Sequence, residues 1–254
     1  MKLMTYNIFN GAVNKLPQII EIVNAESPDY LTLNEANTFA KNDNEILKRF
    51  AQATNFPYFD LALSGQRDYH VAVFSKYPLK KIQKLQPLAR ACLVAVIDTE
   101  FGQLSIASLH LTPFTEDLRH EEINLVVDLQ KQYPNKILTG DMNSLSRIDN
   151  YDENIIKEFN EIQLKKFTEE GNTRYDAIDK ILSTGYYDTA VQVNKNEKYT
   201  VPTKSNLDTA HSQLRLDYIF VSQPLLDHLS FYDVIKNDLT DGASDHYPIV
   251  AELI

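Results

Sequence analysis

Short apolar runs alternate with amphipathic helical patterns along most of the 254-residue chain, and this alternation restricts the fold more than any other feature. Residues 15–25 carry apolar side chains at i, i+3, i+4 and i+7, which predicts a helix, whereas residues 2–8 and 29–33 are typical of strands. Such a pattern predicts an α/β fold with sheets inside and helices outside. Further strands are predicted near residues 58–63, 70–75, 92–98, 104–110, 136–139, 216–221, 230–235 and 248–253, and further helices near 44–53, 116–130 and 152–159.

Composition excludes several classes of protein. Hydrophobic residues make up 43% and charged residues 24% of the chain, which is ordinary for a globular protein and argues against disorder. Cys92 is the single cysteine, so neither an intramolecular disulfide nor a cysteine-based zinc cluster is expected. The sequence holds no apolar run of about 18 residues and no signal-peptide pattern at its start, which predicts no membrane insertion. We therefore expect a single domain over residues 1–254 and a cytoplasmic location, with no expectation for the oligomeric state.

The net charge of −10 disfavours a general binder of duplex DNA, because an acidic surface repels polyanions. A nucleic-acid partner nevertheless stays open, because a groove can be locally basic. Residues 76–90 carry five basic residues and no acidic one, and we predict a solvated loop between strands there. Residues 160–213 are polar and poorly periodic, so we predict an irregular functional stretch that borders the site and sets substrate choice.

Polar side chains cluster at the ends of six predicted strands, where open sheets present catalytic groups. Each has a structural alternative when taken alone: Asn7 could cap a turn, His110 could be a core histidine and Asp217 could pair with Arg215. Together, carboxylates, amides and histidines suit a hard cation, Mg²⁺ or alternatively Mn²⁺, and phosphate-ester chemistry. The six segments are MTYNI with Asn7, LTLNEA with Glu35, SLHLTP with His110, ILTGDMNS with Asp141 and Asn143, RLDYIFVS with Asp217, and SDHYP with Ser244, Asp245 and His246.

Three of these motifs, GDMNS, RLDYIFVS and SDHYPIVAEL, resemble the metal-dependent endonuclease/exonuclease/phosphatase superfamily, which includes deoxyribonuclease I. The resemblance extends from MTYNI to the end of the chain. It implies a deoxyribonuclease I-like four-layer α/β sandwich, in which two stacked mixed β-sheets are flanked by helices. It also implies a metal-dependent phosphoric ester hydrolase.

The resemblance further implies a role for each motif residue. Glu35 would be the principal Mg²⁺ ligand, Asn7 would lie beside the metal and the phosphate, and Asp245 would complete the metal or water network. Asp141 would orient and deprotonate the attacking water. The remaining residues would act on the phosphate: Asn143 would hold the water or a phosphate oxygen, His246 would stabilise charge in the transition state, Asp217 would keep His246 cationic, and His110 would donate a hydrogen bond to the phosphate or serve as an acid near the leaving group.

Departures from the superfamily pattern bear on the subclass. His110 stands where apurinic/apyrimidinic endonucleases of the exonuclease III type carry Tyr, which favours the branch with deoxyribonuclease I, sphingomyelinases and tyrosyl-DNA phosphodiesterase 2. His70 stands where many relatives carry Gly, and it either occupies a plain strand position or adds an imidazole near the cleft. The leading hypothesis is a Mg²⁺-dependent phosphodiesterase or phosphatase with a small or locally recognised phosphate-ester substrate. The alternatives are a DNA-processing nuclease or repair phosphodiesterase and, more remotely, a catalytically silent binding protein, whereas a glycosidase would leave the asparagines and histidines without a role.

Overall fold

Two six-stranded mixed sheets form the centre of the molecule. The computed structural model describes residues 1–86, 88–206 and 213–254, without the side chains of residues 153 and 154. The strands are, in chain order, β1 (Lys2–Asn7), β2 (Tyr30–Asn34), β3 (Tyr58–Ala62), β4 (Val71–Ser75), β5 (Lys81–Leu85), β6 (Ala91–Thr99), β7 (Gly102–His110), β8 (Lys136–Asp141), β9 (Thr168–Glu169), β10 (Asn172–Thr173), β11 (Tyr186–Asp188), β12 (Asp217–Ser222), β13 (Leu229–Val234) and β14 (Ile249–Leu253). The first sheet has the order β13-β14-β1-β2-β4-β3 and the second β11-β12-β8-β7-β6-β5, while β9 and β10 form a separate hairpin.

Helices cover the outer faces of both sheets. Two of the longer ones connect parallel strand pairs: α2 leads from β1 to β2 and α4 leads from β7 to β8, as expected for crossover connections. The helices are α1 (Phe9–Ala12), α2 (Leu16–Glu26), α3 (Lys41–Ala53), α4 (Glu116–Gln130), α5 (Glu153–Lys157), α6 (Glu161–Phe167), α7 (Asp176–Ser183), α8 (Thr189–Gln192) and α9 (Asp238–Asp241), with 3₁₀ turns at Arg147–Asp149, Lys204–Asn206 and Gln223–His228. No helix in the described ranges has both the length and the apolar character that a membrane span requires.

Three buried layers hold the sandwich together, because successive strand side chains alternate between the two faces of a sheet. The layer between the sheets joins side chains such as Leu3 and Val73 of the first sheet to Ile106 of the second. A second layer packs α2 and α3 on the first sheet, and a third packs α4 and α7 on the second. The predicted four-layer α/β sandwich is confirmed, because each sheet buries one face against its partner and the other against helices.

The structure corrects two predictions of irregular chain. Residues 76–90 were predicted as a solvated loop, but β5 lies within them and pairs with β6 at the edge of the second sheet. Its lysines point to solvent, as suits an edge strand that must not pair with another chain, and this is why the run carried no buried-strand signal. Residues 160–213 were predicted to be irregular, yet they hold α6, α7, α8 and three short strands; residues 207–212 of that stretch lie outside the described residues.

Candidate active site

Three strands of the second sheet present site residues in one row, which continues onto β6. Asp217 of β12 lies opposite Asp141 of β8, which lies opposite His110 of β7, which in turn lies opposite Ala91 of β6. Residues opposite each other in a sheet project to the same face. The register therefore brings residues that are far apart in sequence to one end of the sheet.

Asn34 connects this row to the first sheet. Its side-chain amide donates to the carbonyl of Leu109 at 2.9 Å and accepts from the backbone N–H of Asp141 at 3.0 Å. Asn34 is the last residue of β2 and is fully buried, so both hydrogen bonds are shielded from water. Sequence reasoning missed Asn34, which follows the predicted strand at residues 29–33, because only its tertiary contacts with Leu109 and Asp141 reveal its role.

Gly140 allows β7 and β8 to approach each other closely just before Asp141. A Cβ built on Gly140 would lie 1.8 Å from the carbonyl oxygen of Leu109, and the residue has φ +140°. No side chain fits at that distance, so the glycine before Asp141 is required by packing. The predicted strand at residues 136–139 accordingly continues through this glycine to Asp141.

The Asp141 carboxylate is the centre of the hydrogen-bond network. It accepts from the side-chain amide of Asn7 at 3.0 Å and from the backbone N–H of Asn143 at 2.8 Å. Nε2 of His110 lies 3.4 Å and Nε2 of His246 lies 4.0 Å from its Oδ2. Burial by itself raises the pKa of Asp141, but His110, His246, Lys166 and the Asn143 hydrogen bond outweigh burial and lower it. The carboxylate is therefore ionised at neutral pH.

The two histidines occupy opposite protonation states. Nδ1 of His246 lies 2.7 Å from Oδ2 of Asp217, and although burial disfavours the charged ring, Asp217, Asp141 and Asp245 raise the pKa of His246 to about 10. Burial lowers the pKa of His110 to about 3, because the attraction of Asp141 is offset by neighbouring cations. At neutral pH His246 is an imidazolium and His110 a neutral imidazole.

Glu35, Asn7 and Asp245 lie at or beside the ends of first-sheet strands and supply oxygen donors on that side of the site. The backbone N–H of Asn10 donates to Oε2 of Glu35 at 2.8 Å. The hydroxyl of Ser244 donates to the carbonyl of Asn7 at 2.7 Å and lies 3.3 Å from Oδ1 of Asp245. Glu35 itself has φ +56°, a left-handed conformation that costs free energy in a non-glycine residue and is typical of functional sites.

These donors fit a hard divalent cation. Burial raises the pKa of Glu35, and the nearby negative charges of Asp245 and Asp141 raise it further, against the Asn10 hydrogen bond. A carboxylate destabilised by burial and by other carboxylates is stabilised by a cation, and oxygen donors are the ligands that Mg²⁺ and Mn²⁺ prefer. A different group, Asp141, Asp217 and His246, also offers ligand atoms within 4.8 Å of one another, and a metal ion bound there would have to displace a proton from His246.

Lys166 is a site residue that sequence reasoning did not identify. Its ammonium group is buried and donates to Oδ1 of Asn143 at 2.5 Å, while the Asn143 amide donates to the carbonyl of Leu111 at 2.9 Å. Burial lowers the pKa of Lys166 to about 8, and the carboxylate of Asp141 counteracts this effect. Lys166 lies on α6 within the stretch predicted to be irregular, which carried no motif that pointed to it.

All eight predicted site residues lie at this end of the sandwich. Asp141 lies within 4.0 Å of four of them, namely Asn7, Asn143, His110 and His246. His70, the residue that sequence analysis left ambiguous, is buried outside the acidic group: its Nδ1 accepts from the backbone N–H of Ser64 at 3.1 Å and its carbonyl from that of Ala36 at 3.0 Å. It therefore holds the loop before β4 in place.

Comparisons with known proteins agree with this architecture. The model of the endonuclease/exonuclease/phosphatase family matches residues 4–246. Similar solved structures include a family member from Leptotrichia buccalis (19% identity, TM-score 0.71), the 3′ phosphatase NExo from Neisseria bound to product DNA hairpin (18%, 0.72) and an AP endonuclease from Archaeoglobus fulgidus (20%, 0.72). Each comparison covers 100% of this chain and 99% of the other. None of the curated proteins compared matches the sequence.

Proposed function

Because the chain belongs to the endonuclease/exonuclease/phosphatase family and is a phosphoric ester hydrolase, we propose that it cleaves its substrate by in-line attack of water on phosphorus. Asp141 orients this water and takes its proton. The proposal rests on the environment of the Asp141 carboxylate. This carboxylate is ionised and buried, and it accepts hydrogen bonds from Asn7 and from the Asn143 backbone. A base fixed in this way contributes about 10²–10⁴-fold to the rate.

The two imidazoles have separate roles in this proposal. His246, kept cationic by Asp217, binds a phosphoryl oxygen and stabilises the negative charge that grows in the transition state. His110 is neutral, so it donates a hydrogen bond to the phosphate and does not serve as a cationic acid near neutral pH. Asn143 positions a phosphate oxygen or the water through its side chain.

Glu35, Asn7 and Asp245 hold the cation, which we propose to be Mg²⁺ with Mn²⁺ as a substitute. A divalent ion at this position supplies charge neutralisation for the phosphoryl oxygens. The raised pKa of Glu35 supports this role, since burial and, to a smaller extent, the charges of Asp245 and Asp141 destabilise its carboxylate when no cation offsets its charge.

The net charge favours a small or locally recognised substrate over long duplex DNA. The DNA-processing alternative makes a different prediction about salt. A protein that contacts several backbone phosphates loses affinity steeply as salt rises, with a log–log slope of roughly −0.9 per contact. We expect a slope shallower than about −2 for duplex DNA, and a slope of several would favour the alternative.

The proposed reaction is tested by hydrolysis of bis-p-nitrophenyl phosphate and p-nitrophenyl phosphate with Mg²⁺ or Mn²⁺. The wild type is expected to cleave at least one of them, and Asp141→Asn to lower kcat by about 10²-fold or more. Asp128→Asn, at an exposed position on α4, is the matched control. Unchanged activity in Asp141→Asn would remove this residue from the role of base.

A further inference from the structure

The side-chain amide of Asn143 is bonded at both ends by buried groups. Its Oδ1 accepts from the ammonium of Lys166 at 2.5 Å, and its Nδ2 donates to the backbone carbonyl of Leu111 at 2.9 Å. An ammonium only donates and a carbonyl only accepts, so a reversed amide would meet both partners with the wrong atom. Asn143 and Lys166 are both buried, which makes such a mismatch costly. The two contacts therefore fix the direction in which the amide points.

The orientation of the amide determines which bond Asn143 can offer to a ligand. Its Nδ2 group has two hydrogens, and the contact with Leu111 uses one of them. The backbone N–H of Asn143 donates to the Asp141 carboxylate at 2.8 Å, which keeps the residue beside the proposed base. The cation at Oδ1 also polarises the amide and so strengthens Nδ2 as a donor. Asn143 is therefore suited to donate a hydrogen bond to a group that binds next to Asp141.

A donor at this position suits a phosphoryl oxygen better than the attacking water. Phosphoryl oxygens accept hydrogen bonds, and they gain negative charge as the reaction proceeds. The water, in contrast, attacks phosphorus with a lone pair, and a donor bonded to that lone pair would make it less available. Of the two proposed roles of Asn143, the contacts of its amide therefore favour the binding of a phosphate oxygen.

Lys166 is itself held by a buried ion pair on α4. The guanidinium of Arg119 donates to the backbone carbonyl of Lys166 and to that of Thr112, the latter at 3.2 Å. Nη2 of Arg119 lies 2.7 Å from Oε2 of Glu116, and both side chains are buried. The other carboxylate oxygen of Glu116 accepts from the hydroxyl of Ser144 at 2.7 Å.

This ion pair contacts three segments of the site. Through the two backbone carbonyls it contacts α6 and the loop after β7, and through Ser144 it contacts the loop after β8. His110 ends β7, and Asn143 lies in the loop after β8. A guanidinium reaches several acceptors at once because its five donors form a planar fork, whereas the three donors of an ammonium share one nitrogen. The pair is therefore placed to keep Lys166, Asn143 and His110 at fixed distances from one another.

We propose that Lys166 is a positioning residue: it fixes the Asn143 amide so that Nδ2 donates to a phosphoryl oxygen of the substrate. The Glu116–Arg119 pair holds Lys166 in place for this task. The inference rests on the proposed hydrolysis at Asp141 and assigns Asn143 one of its two roles there. Lys166 acts through Asn143 and does not itself bind the phosphate.

A mutant cycle tests whether Lys166 acts through Asn143, with whichever of bis-p-nitrophenyl and p-nitrophenyl phosphate the wild type cleaves. Lys166→Met is expected to lower kcat about tenfold with KM within about twofold of the wild type, because the lost interaction acts in the transition state. Asn143→Ala should lose more, and the double variant should be no slower than Asn143→Ala alone. Lys165→Met, at an exposed position on α6, is the matched control and should retain the wild-type kcat. Losses that multiply in the double variant would show that Lys166 acts independently of Asn143 and would overturn the proposal.

Arg119→Lys tests the ion pair without leaving the Glu116 carboxylate unpaired. The variant keeps the charge but cannot reach the carboxylate and both backbone carbonyls together, so we expect kcat to fall about fivefold with KM unchanged. The double variant Glu116→Gln and Arg119→Met removes both buried charges and should show a similar fall. Arg174→Lys is the matched control, because Arg174 joins α4 to α7 at the surface through Asp117 and Asp176. A wild-type kcat in Arg119→Lys and in the double variant would overturn the role of the pair.

Nuclear magnetic resonance of the ¹⁵N-labelled protein gives a readout that does not depend on turnover. The side-chain amide signal of Asn143 is identified by its loss in Asn143→Ala. It is expected to shift in Lys166→Met, because the contact at Oδ1 is removed, and to keep its position in Lys165→Met. An unchanged signal in Lys166→Met would refute the positioning role. A wild type that hydrolyses neither ester would instead count against the proposed reaction, so the two failures can be told apart.

Discussion

The imidazole of His246 lies 2.7 Å from the carboxylate of Asp217, although the two residues are on neither the same strand nor the same sheet. Asp217 begins β12 of the second sheet, and His246 precedes β14 of the first. The pair thus spans the interface between the sheets at the catalytic end. Its geometry makes the protonation of His246 depend on the packing of the sandwich.

Asp217→Asn is expected to lower the pKa of His246 from about 10 toward its ordinary value, since the negative charge that raises this pKa most is removed. Activity that requires the imidazolium should then decline between about pH 6.5 and 9, where the wild type retains it. The pH profile of kcat/KM measures the change. A variant profile that matches the wild type throughout that range would refute the charge role of Asp217.

Glu35→Gln is expected to weaken Mn²⁺ binding by about tenfold or more, because one ligand loses its charge. Calorimetric titration of the chelator-treated protein measures this affinity directly, and activity should vanish in EDTA and return with added Mg²⁺ or Mn²⁺. Glu45→Gln, at an exposed position on α3, serves as the control. Retention of wild-type Mn²⁺ affinity would show that the cation is held elsewhere.

Asn34→Ala is expected to lower the free energy of unfolding by about 2–4 kcal/mol, because it removes two buried hydrogen bonds, one from the N–H of Asp141 and one to the carbonyl of Leu109. Urea unfolding measures the loss, with the exposed Asn24→Ala as a comparison. We also expect lower kcat, since Asn34 positions the Asp141 backbone. A cost below about 0.5 kcal/mol would mean that the inter-sheet bonds carry little stability.

Gly140→Ala is expected to lower the free energy of unfolding by about 3 kcal/mol or more, because the added methyl group would lie 1.8 Å from the carbonyl oxygen of Leu109. Gly185→Ala is the matched control: Gly185 also has positive φ (+84°), but nothing lies within 4 Å of its Cβ position. That control should cost only about 1–2 kcal/mol. Equal losses in the free energy of unfolding for the two variants would mean that backbone conformation, and not close packing against Leu109, explains the effect of Gly140→Ala.

His110 should make the metal-free protein sensitive to acid. Its pKa of about 3 in the fold lies below the unfolded value of about 6.5. Between these pH values the unfolded chain binds a proton at this position and the folded protein does not, so the free energy of unfolding falls as pH falls. His110→Gln should therefore flatten the decline in stability between pH 6.5 and 4, as measured by urea unfolding in EDTA. An unchanged slope would show that His110 is not buried as a neutral ring.

The sequence by itself determined the α/β class, most strands and helices, and the residues at the strand ends, because apolar periodicity and local motifs are properties of neighbouring residues. It did not indicate β5, whose lysine-rich edge lacks a buried face, nor α6, which carries Lys166. Tertiary structure alone decided that Asn34 bonds the Asp141 backbone, that His246 is charged while His110 is neutral, and that Lys166 binds Asn143. Those properties depend on strand register, on burial and on charges from distant segments, and none of these is encoded in a local window of sequence.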